Sequence, residues 1–130
     1  MDEFIAERST TITIGGADYN LVLTTKATKE IAGRYGGLEN LGDKLMKSEN
    51  FEMALSEIIW LITLLANQAI LIYNLRNKDA KKPLLTEDEV ELLTSPSELA
   101  GYRNAISEAI YKGTVRNVAS ADDQKNAPGA

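Results

Sequence analysis

The sequence predicts a mostly helical α+β domain, with an N-terminal β-hairpin packed on about four to five helices, and three observations carry that prediction. Hydrophobicity alternates with period two on both sides of a Gly-rich turn between residues 11 and 23. Beyond Leu23 the spacing of apolar residues lengthens to about 3.6, the period of a helix. From Ile58 to Leu75 the chain then runs without a charge, IIWLITLLANQAILIYNL, which makes one helix far more apolar than the rest.

The alternation comes first. Thr11-Ile12-Thr13-Ile14 places Ile12 and Ile14 on one face, and Tyr19-Asn20-Leu21-Val22-Leu23 does the same for Tyr19, Leu21 and Leu23. Gly15-Gly16-Ala17-Asp18 joins them as a turn, so the pair reads as a hairpin over about residues 11–23. An isolated hairpin is marginal in water, and this one must lay its apolar face on helices.

Thr24 or Thr25 can cap the next element, a helix with Ala27, Ile31 and Tyr35 on one face and Gly36-Gly37 as a left-handed stop. Leu38, Leu41 and Leu45 imply a short second helix ending near Lys47. Ser48 or Asn50 caps the long helix, expected from about Phe51 to Asn77 as the central pillar. Thr86-Glu87-Asp88-Glu89 is a capping box, with Leu85 placed to staple onto Val90. Ser95-Pro96-Ser97-Glu98 opens a last helix with Pro at its first position, Leu99, Tyr102, Ile106 and Ile110 as its buried stripe, and Gly113 as its end. Beyond it the composition shifts to Ala, Asp, Asn, Gln and Pro without periodicity. Residues 1–113 are therefore expected to form one domain and 114–130 a flexible tail.

The uncharged run is long enough to be weighed as a membrane span. Asn67 and Gln68 stand at its middle, where unpaired amides cost most in hydrocarbon. At 100° per residue, Glu49, Glu52, Ser56, Thr63, Asn67, Asn74 and Lys78 fall on one stripe, interrupted by Trp60 and Ile70. A lipid-facing helix has no use for such a stripe, so the expectation is a buried helix with one strip open to water or to a partner, and no membrane contact. Trp60 has two readings: packing under the hairpin or the last helix, or an exposed aromatic anchor for another protein. Trp60, Asn67, Ile70 and Asn74 are the candidate partner-binding residues.

Composition narrows the function. A net charge of -5 and a pI near 4.8 argue against nucleic acid, whose phosphates require concentrated Lys and Arg. The basic cluster Lys78, Lys81 and Lys82 reads as a solvated loop. With neither Cys nor His present, disulfides, Cys or His zinc sites and nucleophile–His pairs are all excluded. The opening MDEFIAERST is acidic and lacks the basic start and apolar core of a signal peptide, which places the expected location in the cytoplasm.

The segment Tyr35 to Lys44 is rich in Gly but lacks the Gly-Lys-Ser/Thr ending of a phosphate loop, and reads as a helix end. Glu87, Asp88, Glu89 and Glu91 lack the alternating ligands of a calcium loop and suit a first helical turn. Glu52, Glu98 and Glu108 are assigned to the surface. No catalytic, cofactor-binding or metal residue is expected, and no enzyme activity.

Taken in order, these pieces resemble small tail assembly chaperones of long-tailed bacteriophages and prophages. The likeness covers roughly residues 10 to 75 and rests on a hairpin, then Lys26, Glu30, Ile31, Tyr35, Gly36, Gly37 and Leu38 at a helix end, then a long apolar helix. It implies a non-enzymatic protein that binds the tape-measure protein in the host cytoplasm, helps bring tail tube subunits to it, self-associates along it and is absent from the mature virion. Chaperoning a helical, amphipathic client calls for an apolar groove or strip with a charged rim. In many such phages ribosomal slippage yields a longer product, and Gln124-Lys125-Asn126 can be encoded by a slippery run, which the gene sequence tests.

Two other classes compete. A small regulatory, antitoxin-like module would share the acidity and lack of His, and a dedicated toxin partner would mark it. A holin-like protein would use Ile58 to Leu75 as a span, and fractionation without detergent separates it from the others.

Overall fold

The computed structural model describes the backbone of residues 3–41 and 51–126 and the side chains of 4–41 and 54–114. The architecture is the expected one, predominantly helical with an antiparallel hairpin near the N-terminus.

In the hairpin, β1 (Ser9–Ile14) pairs with β2 (Ala17–Val22), Ile14 opposite Ala17 and Ser9 opposite Val22. Gly15 and Gly16 close it at φ 57° and 83°. Two successive positive φ angles define a type I′ turn, which matches the twist of the strands and which Gly alone adopts without strain. The turn is tighter than expected, because Ala17 and Asp18 already belong to β2. Ile12, Ile14 and Leu21 enter the core, while on the opposite face the Thr11 and Thr13 hydroxyls donate to Asn20 at 2.9 Å and Asp18 at 2.7 Å. At its open end that outer face is also covered. A helix the alternation did not announce, α1 (Glu3–Arg8), sets Ile5 against Val22 and Ala69.

Helix α2 (Thr25–Tyr35) is capped by Thr24, whose Oγ1 accepts from the Ala27 N–H at 3.0 Å. It stops at Gly36, φ 85°, whose N–H donates to the Ala32 carbonyl at 2.7 Å. Ala27, Ile31 and Tyr35 are buried, as their spacing required. Helical backbone resumes at residues 38–41. The remainder of the expected second helix, with Leu45 and Lys47, and the expected caps Ser48 and Asn50 lie outside the described residues.

Helix α3 (Phe51–Arg76) is the pillar, with the hairpin, α2 and the two following helices packed around it. Ile58, Leu61, Ile62 and Leu65 are fully covered. Its span from Ala54 to Arg76 is long and apolar enough to cross a bilayer by length and composition. In this fold 44% of an 18-residue window of that span is buried against the chain's other elements, Ile58, Leu61, Ile62 and Leu65 among it, and both mid-helix amides have partners. Gln68, only 3% exposed, donates to the Leu64 carbonyl at 3.0 Å and accepts from the Thr24 hydroxyl, so one hydroxyl caps α2 and ties it to α3.

Helix α4 (Glu87–Leu93) opens on the predicted capping box, with Thr86 and Glu89 bonding each other's backbone N–H, and Leu85 and Val90 are both buried at its start. Helix α5 (Pro96–Asn126) repeats the device: the Glu98 carboxylate accepts from the Ser95 N–H at 3.1 Å, and Ser95 Oγ from the Glu98 N–H at 3.3 Å. Leu99 and Ile106 are buried, Tyr102 and Ile110 half-buried.

Gly113 is not the end of this helix, which continues to Asn126, and the residue has no positive φ. A Cβ there would lie 2.8 Å from Leu23 Cβ. Close approach of the helix to the end of the hairpin, and not chain termination, is what requires Gly. Of the expected flexible tail, residues 127–130 and the side chains of 115–126 lie outside the described residues.

Candidate protein-binding groove

Along α3 the residues Ala66, Ala69, Ile70 and Tyr73 recur at i, i+3, i+4 and i+7 and so share one face. Ala66 and Ala69 are buried in this face, and Ile70 and Tyr73 are half-buried beside them. Together they line an open groove of about 670 Å³. Asp18, Tyr19 and Asn20 of β2, with Ile5 of α1, form one wall; Lys82 and Pro83 form the other. The floor is apolar, and Asp18, Arg76 and Lys82 stand on the rim.

The second wall is held by two asparagines. Asn67 donates to the Leu85 carbonyl at 2.8 Å and accepts from the Leu85 N–H at 2.7 Å; Asn74 does the same to Lys82, at 2.9 and 2.8 Å. Each side-chain amide thus pairs with the backbone of one residue as a neighbouring strand would. The spacing works because seven helical residues rise about 10.5 Å and three extended residues span about 10 Å. The connection runs antiparallel to α3, with Lys82 and Leu85 in register with Asn74 and Asn67. This use of the polar stripe is internal, and periodicity alone could not distinguish it from a solvent strip. Lys82 then lays its ammonium 4.2 Å from the centre of the Tyr73 ring, a cation–π contact that places a charge at the groove's edge.

Trp60 lies elsewhere on α3. It is half-buried and meets Tyr35 edge-to-face, with ring centres 6.0 Å apart at 74°, and Arg34 stacks over its ring at 4.3 Å. Arg34 also pairs with Glu57 at 3.0 Å, and the Tyr35 hydroxyl donates to the same carboxylate oxygen. Burial, reinforced by the Glu57 carboxylate, pushes the Tyr35 phenol well above its usual range. The ring and cation partners of Trp60 come from α2, and its side chain also packs against the main core, to which the hairpin and the last helix contribute.

Of the four candidate residues, then, Ile70 lies in the groove, Asn67 and Asn74 support its wall from behind, and Trp60 joins a separate cluster. Sequence reasoning missed Tyr19, Ala66, Ala69 and Tyr73. The signal available was the pair of small residues inside an i, i+3, i+4, i+7 apolar set. Among the described residues, no group of three or more acidic side chains is placed to hold a metal ion. Comparison with known proteins finds no matching family, no matching curated protein and no matching solved structure.

Proposed function

We propose that this chain is a non-enzymatic phage tail assembly chaperone that binds apolar segments of the tape-measure protein in the host cytoplasm and assists tail tube assembly. The observation that supports this reading best is the groove: an apolar floor centred on Ile70 and Tyr73, bordered by Asp18, Arg76 and Lys82. An elongated client whose apolar stripes aggregate before assembly needs such a surface, with the charged border limiting self-adhesion. Several copies along one client, delivery of tail tube subunits, and absence from the finished virion belong to the same proposal.

Co-expression with the tape-measure protein encoded beside it, followed by pull-down from the soluble fraction, tests this. The client is expected to become soluble and to co-purify. Ile70→Glu places a carboxylate in a half-exposed apolar site and should abolish capture while leaving the circular dichroism spectrum unchanged. Trp60→Ala, outside the groove, should lower stability and spare capture at temperatures where the variant is folded. Failure of the well-folded wild-type chain to capture or solubilise the client would end the proposal.

A further inference from the structure

The hairpin's two outer edges are treated differently. A two-residue type I′ turn makes Ile14 and Ala17 a hydrogen-bonded pair, and pairs then alternate along the ladder. Ile12 with Tyr19 and Thr10 with Leu21 also exchange bonds, whereas Ser9, Thr11 and Thr13 on β1, and Asp18, Asn20 and Val22 on β2, point their backbone groups outward. On β1 the outward carbonyls of Thr13 and Ser9 accept from the Tyr102 hydroxyl at 2.6 Å and the Lys112 ammonium at 2.8 Å. These two side chains of α5 blunt that edge. On β2, no hydrogen bond among the described residues reaches the outward backbone groups of Asp18 and Asn20, and both residues line the groove.

Resting on the reading of this groove as the contact surface, we infer that its occupant binds as an added strand on the free edge of β2. The partner is an extended polypeptide segment that turns alternate apolar side chains toward Ile70 and Tyr73 and sets an acidic residue near Lys82. An added strand sits about 4.8 Å from β2 and satisfies the outward groups of Asp18 and Asn20. A helix, about 10 Å across, would leave them unpaired. A second copy of the chain offers the same recessed edge, and two concave surfaces do not interlock. Charge argues for an acidic residue at one end: in a chain of net charge -5, Lys82 borders the groove, and Lys78 and Lys81 are exposed in the adjoining connection. Held in this way, a client segment is kept from winding into a helix or pairing with another client.

The test selects peptides from a random library on the full chain and follows amide hydrogen exchange at Asp18 and Asn20. Selected peptides should show period-two apolar spacing with a carboxylate toward one end, and should slow exchange at both amides by about tenfold or more. Asn20→Pro removes an outward N–H without removing a ladder bond, so it should weaken peptide binding by about tenfold or more. Ile70→Glu should do the same without altering the strand.

Peptides with helical spacing and unchanged exchange at the two amides would overturn the inference. So would protection of those amides in the free chain accompanied by a concentration-dependent mass, which would identify a second copy as the occupant. Enrichment no greater than on the Ile70→Glu variant would overturn it as well. The two proposals fail separately: capture of the tape-measure protein that survives Asn20→Pro sinks strand addition alone, and strand-like peptide binding without client capture sinks the chaperone reading alone.

Discussion

Asn67→Ala tests whether the polar stripe of α3 serves the fold or a partner. The substitution removes two hydrogen bonds, at 2.8 and 2.7 Å, that satisfy both backbone groups of Leu85, a residue only 4% exposed. A buried group left without a partner costs about 1–3 kcal/mol, and water entering beside half-buried Asn67 recovers part of that. For the pair a loss of about 2–3 kcal/mol is therefore expected. Asn74 makes the same clamp on Lys82, but at an exposed position where water replaces the lost bonds. Asn74→Ala should accordingly cost less than about 1 kcal/mol. Urea unfolding followed by circular dichroism measures both, with an unchanged dependence on denaturant showing that the unfolded state is unaffected. In thermal unfolding the Asn67 variant should melt lower by roughly 10 °C. If both variants cost less than about 0.5 kcal/mol, within the range of ordinary surface substitutions, and both abolish client capture, then the clamp argument is wrong and the stripe is a contact surface.

Two further outcomes are expected. Gly113→Ala should destabilise, because the overlap with Leu23, whose own Cβ is the nearest atom, costs about 1–3 kcal/mol against a gain of about 1 kcal/mol in helix propensity; combining it with Leu23→Gly, which removes that Cβ, should recover the propensity gain relative to Leu23→Gly alone, whereas stabilisation by the single change would mean that the two elements do not approach closely. The Tyr35 phenol is raised above its ordinary value of 10.0, so the unfolded chain loses that proton first as pH increases. Its contribution to stability is complete below pH 10 and is lost as pH rises through the folded value. Tyr35→Phe should flatten the alkaline fall in unfolding free energy, and an unchanged slope would remove Tyr35 as its source.

Much of the architecture was legible because it is local. Gly15-Gly16, Thr24, Gly36, Thr86 with Glu89, and Ser95 with Glu98 each act within one turn, and the structure uses each of them where the sequence put it. Helix α1 was not legible, since six residues carry too little periodicity and its anchor, Ile5, gains meaning only from Val22 and Ala69 brought beside it. The groove was legible only in outline. An apolar stretch with charged surroundings could be expected, but its wall is a connection whose place depends on Asn67 and Asn74 meeting backbone eighteen and eight residues away respectively.

By itself, then, the sequence determined the class of the fold, the starts and stops of most elements, and the absence of Cys and His chemistry, because each follows from backbone preference or side-chain inventory alone. Tertiary structure decided what three ambiguous residues are for. Gly113 is a point of close approach, since Leu23 leaves no space for a Cβ. Asn67 and Asn74 are clamps, since the connection from Lys82 to Leu85 and the helix beside it rise in step over that interval. These roles depend on which distant segment arrives, and neither periodicity nor propensity contains that information.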